Sequence, residues 1–218
     1  MEAETKTVVV VSEKNSKDDI AVPELLLSYT YFLNDSHTCF MTIGYDVNDF
    51  KLKIIVYKNK IFICLQIDDW IILYKNAETI DGFFNNKYLS NFYELPKSET
   101  GIEFKLSIRK NVRQLIIANK KKILLDDAEW KKLYNWVPYL TSIATWYDMT
   151  SLEIQNYYQQ YLQLCIQNKV FSLFPQHFFL TGSQNNCFYN NSRLFQELPL
   201  YCNLKLRNDI ANYYNDCE

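Results

Sequence analysis

The sequence has few of the residues, and none of the motifs, on which most enzymes depend. Among 218 residues there are only 4 glycines and 2 histidines. No Gly-rich phosphate loop, dinucleotide fingerprint, GxSxG or HExxH motif occurs. His37 and His177 lie in no recognisable catalytic motif. The sequence therefore predicts that the protein is not an enzyme.

Metal-binding patterns are missing too. The six cysteines are widely spaced, and none forms a CxxC pair. A zinc site would have to use four residues at unusual spacings, namely Cys165, His177, Cys187 and Cys202. Helix capping explains the pairs Asp68–Asp69 and Asp126–Asp127 more simply than a metal does. We expect structural cysteines, no metal and no cofactor.

No targeting or membrane segment is visible in the sequence. The N-terminus is acidic and polar before the short run Val8–Val11, unlike a signal peptide. No apolar run is long enough to cross a bilayer. We therefore expect an intracellular protein with reduced thiols and no membrane partner.

Aromatic residues, in contrast, are plentiful, with 17 Tyr and 14 Phe, and hydrophobic residues make up 48% of the chain. A chain of this length can bury a sizeable core and holds one or two domains. The abundance of Asn, Lys, Ile and Tyr with few Gly is what an AT-rich coding sequence gives. It indicates a viral or otherwise AT-rich genome.

One stretch of sequence occurs twice. Residues Lys53–Ile80 and Arg113–Leu140 align without a gap and share seven identities. The identical pairs are Asn59 and Asn119, Lys60 and Lys120, Ile63 and Ile123, Leu65 and Leu125, Trp70 and Trp130, Leu73 and Leu133, and Tyr74 and Tyr134. Their common order indicates an internal duplication with two copies.

The second copy has the pattern of a sheet followed by a helix. Four apolar residues alternate with polar and mostly basic ones: Ile102, Phe104, Leu106 and Ile108. This alternation predicts a strand with one buried face and one open face. Asp126 or Asp127 can cap an amphipathic helix that Trp130 anchors, with Glu129 as the capping-box partner of Asp126. Pro138 predicts a kink in this helix.

The remaining elements follow from similar signals. The first copy predicts strands at Cys39–Asp46, Phe50–Lys58 and Lys60–Gln66, then a helix from Asp68 to Phe84. Glu24–Asn34 is predicted to be a short helix with Pro23 near its first turn. A helix capped by Thr150 or Ser151 is expected to run to Phe174, and Leu200–Tyr214 is expected to form a final helix.

These patterns predict an α+β protein made of two tandem antiparallel-sheet-plus-helix repeats and a helical C-terminal extension. We expect a tail and short helix over 1–36, a first repeat over 37–86, a connector over 87–100, a second repeat over 101–149 and the extension over 150–218.

The net charge of −2 hides an uneven distribution. Residues 51–132 hold 16 basic and 10 acidic side chains, a net charge of +6, whereas the rest holds 7 basic and 15 acidic ones, a net charge of −8. A basic middle between acidic flanks favours an anionic partner for the duplicated region. The alternative is that two solvated lysine-rich turns create the excess.

The segment Asn119–Leu133 combines a basic turn, a short apolar strand, an acidic cap and a helix with Trp followed by Lys-Leu. The residues that carry this pattern are Lys120, Lys121, Ile123, Leu125, Asp126, Trp130 and Leu133. The pattern resembles the positive-cofactor-four family of transcriptional coactivators, which bind single-stranded DNA. The resemblance covers roughly residues 101–145 and, more weakly, 39–84.

The resemblance implies small antiparallel sheets that are each followed by one helix and pair through those helices. Because the chain carries two copies, we expect an intramolecular pseudo-dimer. It also implies single-stranded DNA as the partner, with RNA as the alternative, and a role in replication or transcription in the nucleus. The related Whirly proteins also use repeated sheet-helix units for single-stranded DNA. The first copy departs from the pattern, because Ile61 and Phe62 replace Lys121 and Lys122, and both copies lack the family's turn glycines.

A sequence-tolerant single-strand binder needs cations for phosphates and aromatic faces for bases. We predict nucleic-acid binding by Lys51, Lys53, Tyr57, Lys58, Lys60, Lys105, Arg109, Lys110, Arg113, Lys120, Lys121 and Lys122. Phe50 is a second stacking candidate beside Tyr57. Trp70, Trp130, Tyr74 and Tyr134 are expected to be core anchors. The alternative is that the lysines only solubilise the open face and block edge pairing.

Two other functions stay open at this point. A structural or assembly protein could keep the fold without binding nucleic acid, and use its C-terminal region to bind a protein partner. A metal-dependent nuclease is the third interpretation. A homo-oligomer on top of the internal pairing is also compatible with the sequence.

Overall fold

The computed structural model describes residues 22–85, 92–167, 197 and 201–215. They form an α+β fold with two antiparallel four-stranded sheets and, within these residues, four helices, which confirms the predicted fold class. The first half comprises β1 (Leu25–Phe32), β2 (Cys39–Asp46), β3 (Leu52–Lys58), β4 (Ile61–Leu65), α1 (Ile67–Lys75) and α2 (Ala77–Phe84). The second half comprises β5 (Phe92–Glu94), β6 (Glu103–Arg109), β7 (Val112–Ala118), β8 (Lys122–Leu125) and α3 (Asp127–Gln167), and α4 (Asn203–Asn215) follows.

Each sheet is a simple meander, with the orders β1-β2-β3-β4 and β5-β6-β7-β8. Two of the hairpins close through two-residue turns with positive φ at both positions, at Asn59–Lys60 and at Lys110–Asn111. Such turns match the right-handed twist of the paired strands, and asparagine tolerates the left-handed conformation. They therefore fix the register of β3 with β4 and of β6 with β7.

The predicted helix over Glu24–Asn34 is wrong, because this segment forms β1. Pro23 near its first turn was the signal for a helix, but Leu25, Leu26 and Leu27 are consecutive buried residues of a strand. A bulge in the pairing with β2 explains them, since Leu27 takes a positive φ of 52° and all three leucines enter the core. Gly44 lies opposite, where an added Cβ would come within 2.8 Å of the Leu26 carbonyl oxygen.

The bulge leaves backbone groups of Leu27 outside the ladder, and side chains distant in sequence satisfy them. The Leu27 N–H donates to the carboxylate of Glu197, and the Tyr147 hydroxyl donates to the Leu27 carbonyl. An unpaired buried backbone group would cost free energy comparable to a lost hydrogen bond. The strand therefore depends on contacts that no local sequence pattern reveals.

The second sheet confirms the alternation in β6. Phe104 and Leu106 are buried with the preceding Ile102, and Ile108 packs against the same core. The segment predicted as a connector over 87–100 contains β5, whose three residues pair with β6. Sequence reasoning missed this short strand.

The helices differ from the predicted ones at their ends. The helix expected from Asp68 to Phe84 is divided at Asn76, whose side chain donates to the Ile72 carbonyl at 2.7 Å. The predicted helix start at Thr150 or Ser151 is wrong, because both lie inside α3. Their hydroxyls bond to the Trp146 and Phe50 carbonyls instead of capping a helix.

α3 continues through Pro138, so that residue ends no helix. Residues beyond Gln167 in the helix predicted to reach Phe174 lie outside the described part of the chain, as do the N-terminal residues 1–21. The predicted final helix is confirmed as α4.

The two halves share one hydrophobic core. α1 and α2 pack against α3, and β4 lies beside β8. Trp70 and Trp130 are buried in this core as predicted, and the Trp70 indole N–H donates to the Thr141 hydroxyl at 3.0 Å across the halves. Equivalence of the halves as a pseudo-dimer stays a prediction.

The two aligned stretches differ by one residue in a turn. Val56 of β3 pairs with Ile63 of β4, and Ile117 of β7 pairs with Ile123 of β8. In the sequence, Val56 and Ile117 are 61 positions apart, whereas Ile63 and Ile123 are 60 positions apart. The turn between β7 and β8 has three residues, 119–121, instead of two. A shift of one residue sends a side chain to the opposite face of a sheet.

Candidate nucleic-acid interface

A row of four aromatic side chains crosses the open face of the first sheet, one from each strand. Cross-strand pairing places Phe32 opposite Phe40, Phe40 opposite Tyr57, and Tyr57 opposite Phe62. The Phe40 and Tyr57 rings stack with centroids 4.4 Å apart, and Phe32 meets Phe40 edge-on at 6.0 Å. All four side chains are partly exposed. We call these four residues the aromatic row.

The aromatic row continues at one end into His37. Its imidazole stacks on the Phe32 ring with centroids 4.1 Å apart and an interplanar angle of 23°. The turn that carries His37 is held by Asn34, whose side-chain oxygen accepts from the Thr38 and Cys39 N–H groups. A local side-chain bond of this kind fixes the turn, so the imidazole extends the stacking surface.

At the other end, a lysine from the second half covers the aromatic row. The Lys121 ammonium lies 4.6 Å from the centroid of the Phe62 ring. Lys121 belongs to the three-residue turn 119–121, in which the Asn119 side chain accepts from the Lys121 N–H at 2.8 Å. The extra turn residue of the second half thus brings a cation onto the aromatic row of the first half.

Other predicted cations surround this face. Lys60 and Lys120 are exposed in the two turns next to the Phe62 end of the row, and Lys122 is exposed at the start of β8. Lys53 lies on the same open face, further along β3, and Lys51 is exposed just before that strand. The structure therefore brings Tyr57 together with Lys60, Lys120, Lys121 and Lys122, and leaves Lys51 and Lys53 at the far end of the sheet.

Two predicted site residues do not reach an open face. Lys58 lies on the core side of β3, where its ammonium bonds to Glu129 at 2.6 Å and to the Leu124 carbonyl at 2.7 Å. Arg113 lies on the core side of β7, with its guanidinium 4.9 Å above the Phe83 ring and a hydrogen bond to the Phe83 carbonyl. Both cations join one half to the other.

The open face of the second sheet has a different character. Lys105 lies between two carboxylates, at 2.7 Å from Glu103 and 3.1 Å from Glu94. Hydrogen bonds to these carboxylates raise the pKa of Lys105, and the same contact lowers the pKa of Glu103. Arg109 and Lys110 are exposed at the β6–β7 hairpin, away from this pair. Lys105, one of the predicted binding residues, is therefore already paired with carboxylates on this face.

Sequence reasoning missed Phe32, Phe40 and Phe62 as members of the row. Phe32 lay in the segment misassigned as a helix. The alternation of Phe40 and Thr42 with the buried Met41 was a usable signal for an outward-facing residue. Only the register across four strands reveals that the rings are aligned.

Two aromatic predictions are wrong. Phe50 was a stacking candidate, but it is only 2% exposed, and its ring packs at 4.8 Å from that of Tyr158. Tyr74 was expected in the core and is 44% exposed. Tyr134 does pack against the core, with its ring 5.8 Å from that of Trp130.

One aspartate of each pair bonds to the backbone at a helix start, but the N-cap of α1 is Gln66, so Asp68 and Asp69 lie inside that helix and do not cap it as predicted. Glu129 and Asp126 form the predicted capping box, with N–H to carboxylate distances of 3.0 and 3.1 Å. In the first half, Asp69 accepts from the Gln66 N–H at 2.7 Å and from the hydroxyls of Ser98 and Thr100. Asp69 and Glu129 hold equivalent positions, and each of these buried carboxylates bonds to the other half.

No group of three potential metal ligands occurs in the part of the chain that the structure describes. His177 and Cys187 of the alternative zinc set lie outside it, while Cys165 and Cys202 are buried. Burial raises the pKa of the Cys202 thiol to about 12, which favours a protonated, unreactive side chain.

None of the described helices combines the length and apolar character needed to cross a membrane. Comparisons of the chain with protein-family models, with curated proteins and with solved structures find no match.

Proposed function

We propose that this protein binds single-stranded nucleic acid on the open face of the first sheet. The aromatic row carries the proposal. Four rings in register, one per strand, with a stacked histidine at one end and a lysine over the last ring, combine stacking surfaces and cations in the way that single-strand binding requires.

The dimensions of the row fit a short run of bases. Neighbouring strands are about 4.8 Å apart, so the row extends over roughly 14 Å perpendicular to the strands. Sheets that bind RNA through aromatic side chains stack about two or three bases on a surface of this kind. We therefore expect two or three bases to stack on Phe32, Phe40, Tyr57 and Phe62.

The lysines lie at one end of the aromatic row, and we expect the backbone of the bound strand to continue toward that end. Lys60, Lys120, Lys121 and Lys122 cluster at the Phe62 end, where β4 lies beside β8. Phosphates leaving the row at this end would meet the basic turn of the second half. Stacking is tolerant of sequence because every base has a π-face, so we expect limited base specificity.

The test is fluorescence anisotropy with a labelled single-stranded oligonucleotide, in DNA and RNA forms, and with duplex DNA as competitor. We expect salt-sensitive binding for which duplex competes poorly. Tyr57→Ala should weaken binding by about 1–3 kcal/mol, roughly 5- to 150-fold, because one stacked base loses its platform.

The matched control is Phe92→Ala, which removes an exposed aromatic ring from the open face of the second sheet. It should leave the affinity unchanged. Absence of binding at low salt, or equal losses for Tyr57→Ala and Phe92→Ala, would refute the proposal.

A role in replication or transcription, a nuclear location and the pseudo-dimeric arrangement are parts of the proposal that rest on the sequence resemblance. The nuclease interpretation is separated from simple binding by incubation of the oligonucleotide with Mg²⁺, which would then cause degradation.

A further inference from the structure

One side of α3 lacks the charges that an exposed helix usually carries. Between Leu133 and Leu152 the only charged residue is Asp148. The opposite side of the same segment packs into the core, where four of its residues are buried: Val137, Leu140, Ala144 and Tyr147. The exposed side therefore neither packs into the core nor carries the charges that are usual on a solvated helix face.

Large apolar side chains occupy this exposed side. Five of these side chains are between 43% and 77% exposed: Trp136, Tyr139, Trp146, Met149 and Leu152. With Tyr29 of β1, which is 43% exposed, we call these residues the α3 patch. A spacing of three residues keeps Trp136 close to Tyr139 and, two turns further along the helix, keeps Trp146 close to Met149 and Met149 close to Leu152.

The patch is continuous with an aromatic cluster at the edge of the first sheet. The Tyr31 ring lies 5.8 Å from Trp136 and 6.5 Å from Tyr139, and Trp136 lies 6.0 Å from Tyr139. Tyr31 is partly buried and packs against the hydrophobic core, so this ring forms the base of the patch. The exposed rings are thus held by neighbours and form a preorganised surface.

The exposed apolar area reaches the size of the largest patch on a typical monomer, which is often functional. At about 200 Å² for a whole aromatic side chain, the four exposed aromatic residues alone contribute roughly 400 Å². Met149 and Leu152, which are mostly exposed, extend it further. The largest apolar patch of a typical monomer is about 300–600 Å², and a stable interface buries about 800 Å² on each partner.

We propose that the α3 patch binds the α3 patch of a second copy of this chain, forming a two-fold symmetric dimer. A two-fold interface places the same surface on both partners, so it tolerates no excess of one charge. The α3 patch fits this requirement, and Trp, Tyr and Met are the residue types enriched at interfaces. Tyr31 pairs with Met41 on the core side of β1, so the dimer leaves the aromatic row on the opposite face open.

The test is the molar mass of the full-length chain across a concentration series, by sedimentation equilibrium. We expect the mass of two chains for the wild type, and self-association about 30-fold weaker or more for Trp146→Glu, since buried tryptophans dominate interface energies. Met149→Glu, at the most exposed position of the patch, should weaken the dimer without disturbing the fold.

Tyr74→Glu is the matched control, because Tyr74 is an exposed aromatic residue on α1 outside the patch. It should remain dimeric, and circular dichroism should show that all three variants are folded. A wild-type chain that stays monomeric at its highest soluble concentration would overturn the proposal. A dimer that survives Met149→Glu with unchanged affinity would overturn it as well.

Discussion

The two sheets share one strand order, yet their open faces carry different chemistry. The first presents the aromatic row, whereas the equivalent positions of the second hold Glu103, Ala118 and Lys122. The core positions, in contrast, keep their apolar character in both halves. The requirement to pack a core constrains the buried faces of both sheets, whereas the open faces carry no such constraint.

One turn residue explains much of the divergence. Tyr57 and Ile117 meet in the gap-free alignment, but Tyr57 faces outward and Ile117 is fully buried. The same shift places Lys53 on the open face and Arg113 on the core side. A hairpin turn therefore decides which of two similar sequences presents a binding surface.

The largest expected effect distinguishes a lysine that joins the halves from a lysine on an open face. Lys58→Met should lower the free energy of unfolding by about 3 kcal/mol, because it leaves the buried Glu129 carboxylate without its cation. Lys105→Met should have a clearly smaller effect, because solvent screens its pairs with Glu94 and Glu103. Urea denaturation measures the free energy of unfolding of both variants. Equal losses would contradict the distinction between the buried Lys58 pair and the solvent-screened Lys105 pairs.

A second experiment compares the cations of the two faces in binding. Each phosphate neutralised on a single strand contributes about 0.7 to the slope of log K against log salt. Lys121→Met should reduce that slope by about 0.7, because Lys121 lies at the end of the aromatic row. Lys105→Met should leave the slope unchanged, since Lys105 is already paired with carboxylates. A reversed result would place the nucleic acid on the second sheet.

The smallest expected effect concerns pH. The hydrogen bond and charge of Lys105 lower the pKa of Glu103 below its ordinary value of 4.5. The unfolded chain therefore takes up this proton first as the pH falls, so the contribution is complete above pH 4.5 and is lost as the pH falls through the lowered pKa.

Glu103→Gln should accordingly lower the melting temperature slightly at neutral pH and not at all in strong acid. Differential scanning calorimetry of this variant beside Glu99→Gln, at an exposed glutamate in the loop between β5 and β6, provides the comparison. If the melting temperature of Glu103→Gln stays below that of the wild type at the lowest pH, the Glu103–Lys105 pair is not the source of the difference.

The sequence by itself determined the features that depend on neighbouring residues. The alternation in β6, the capping box of Asp126 and Glu129, and the two buried tryptophans follow from local periodicity and local hydrogen bonding. These signals were sufficient for the α+β class and for the repeated sheet-plus-helix pattern.

The tertiary structure decided the features that depend on contacts between distant residues. β1 forms a strand because a bulge, the Tyr147 hydroxyl and the Glu197 carboxylate satisfy its backbone. Lys58 is withdrawn from the surface by Glu129, which is 71 residues away. The aromatic row exists only because turn geometry sets the register of four strands, and register is a property of paired strands that no single segment encodes.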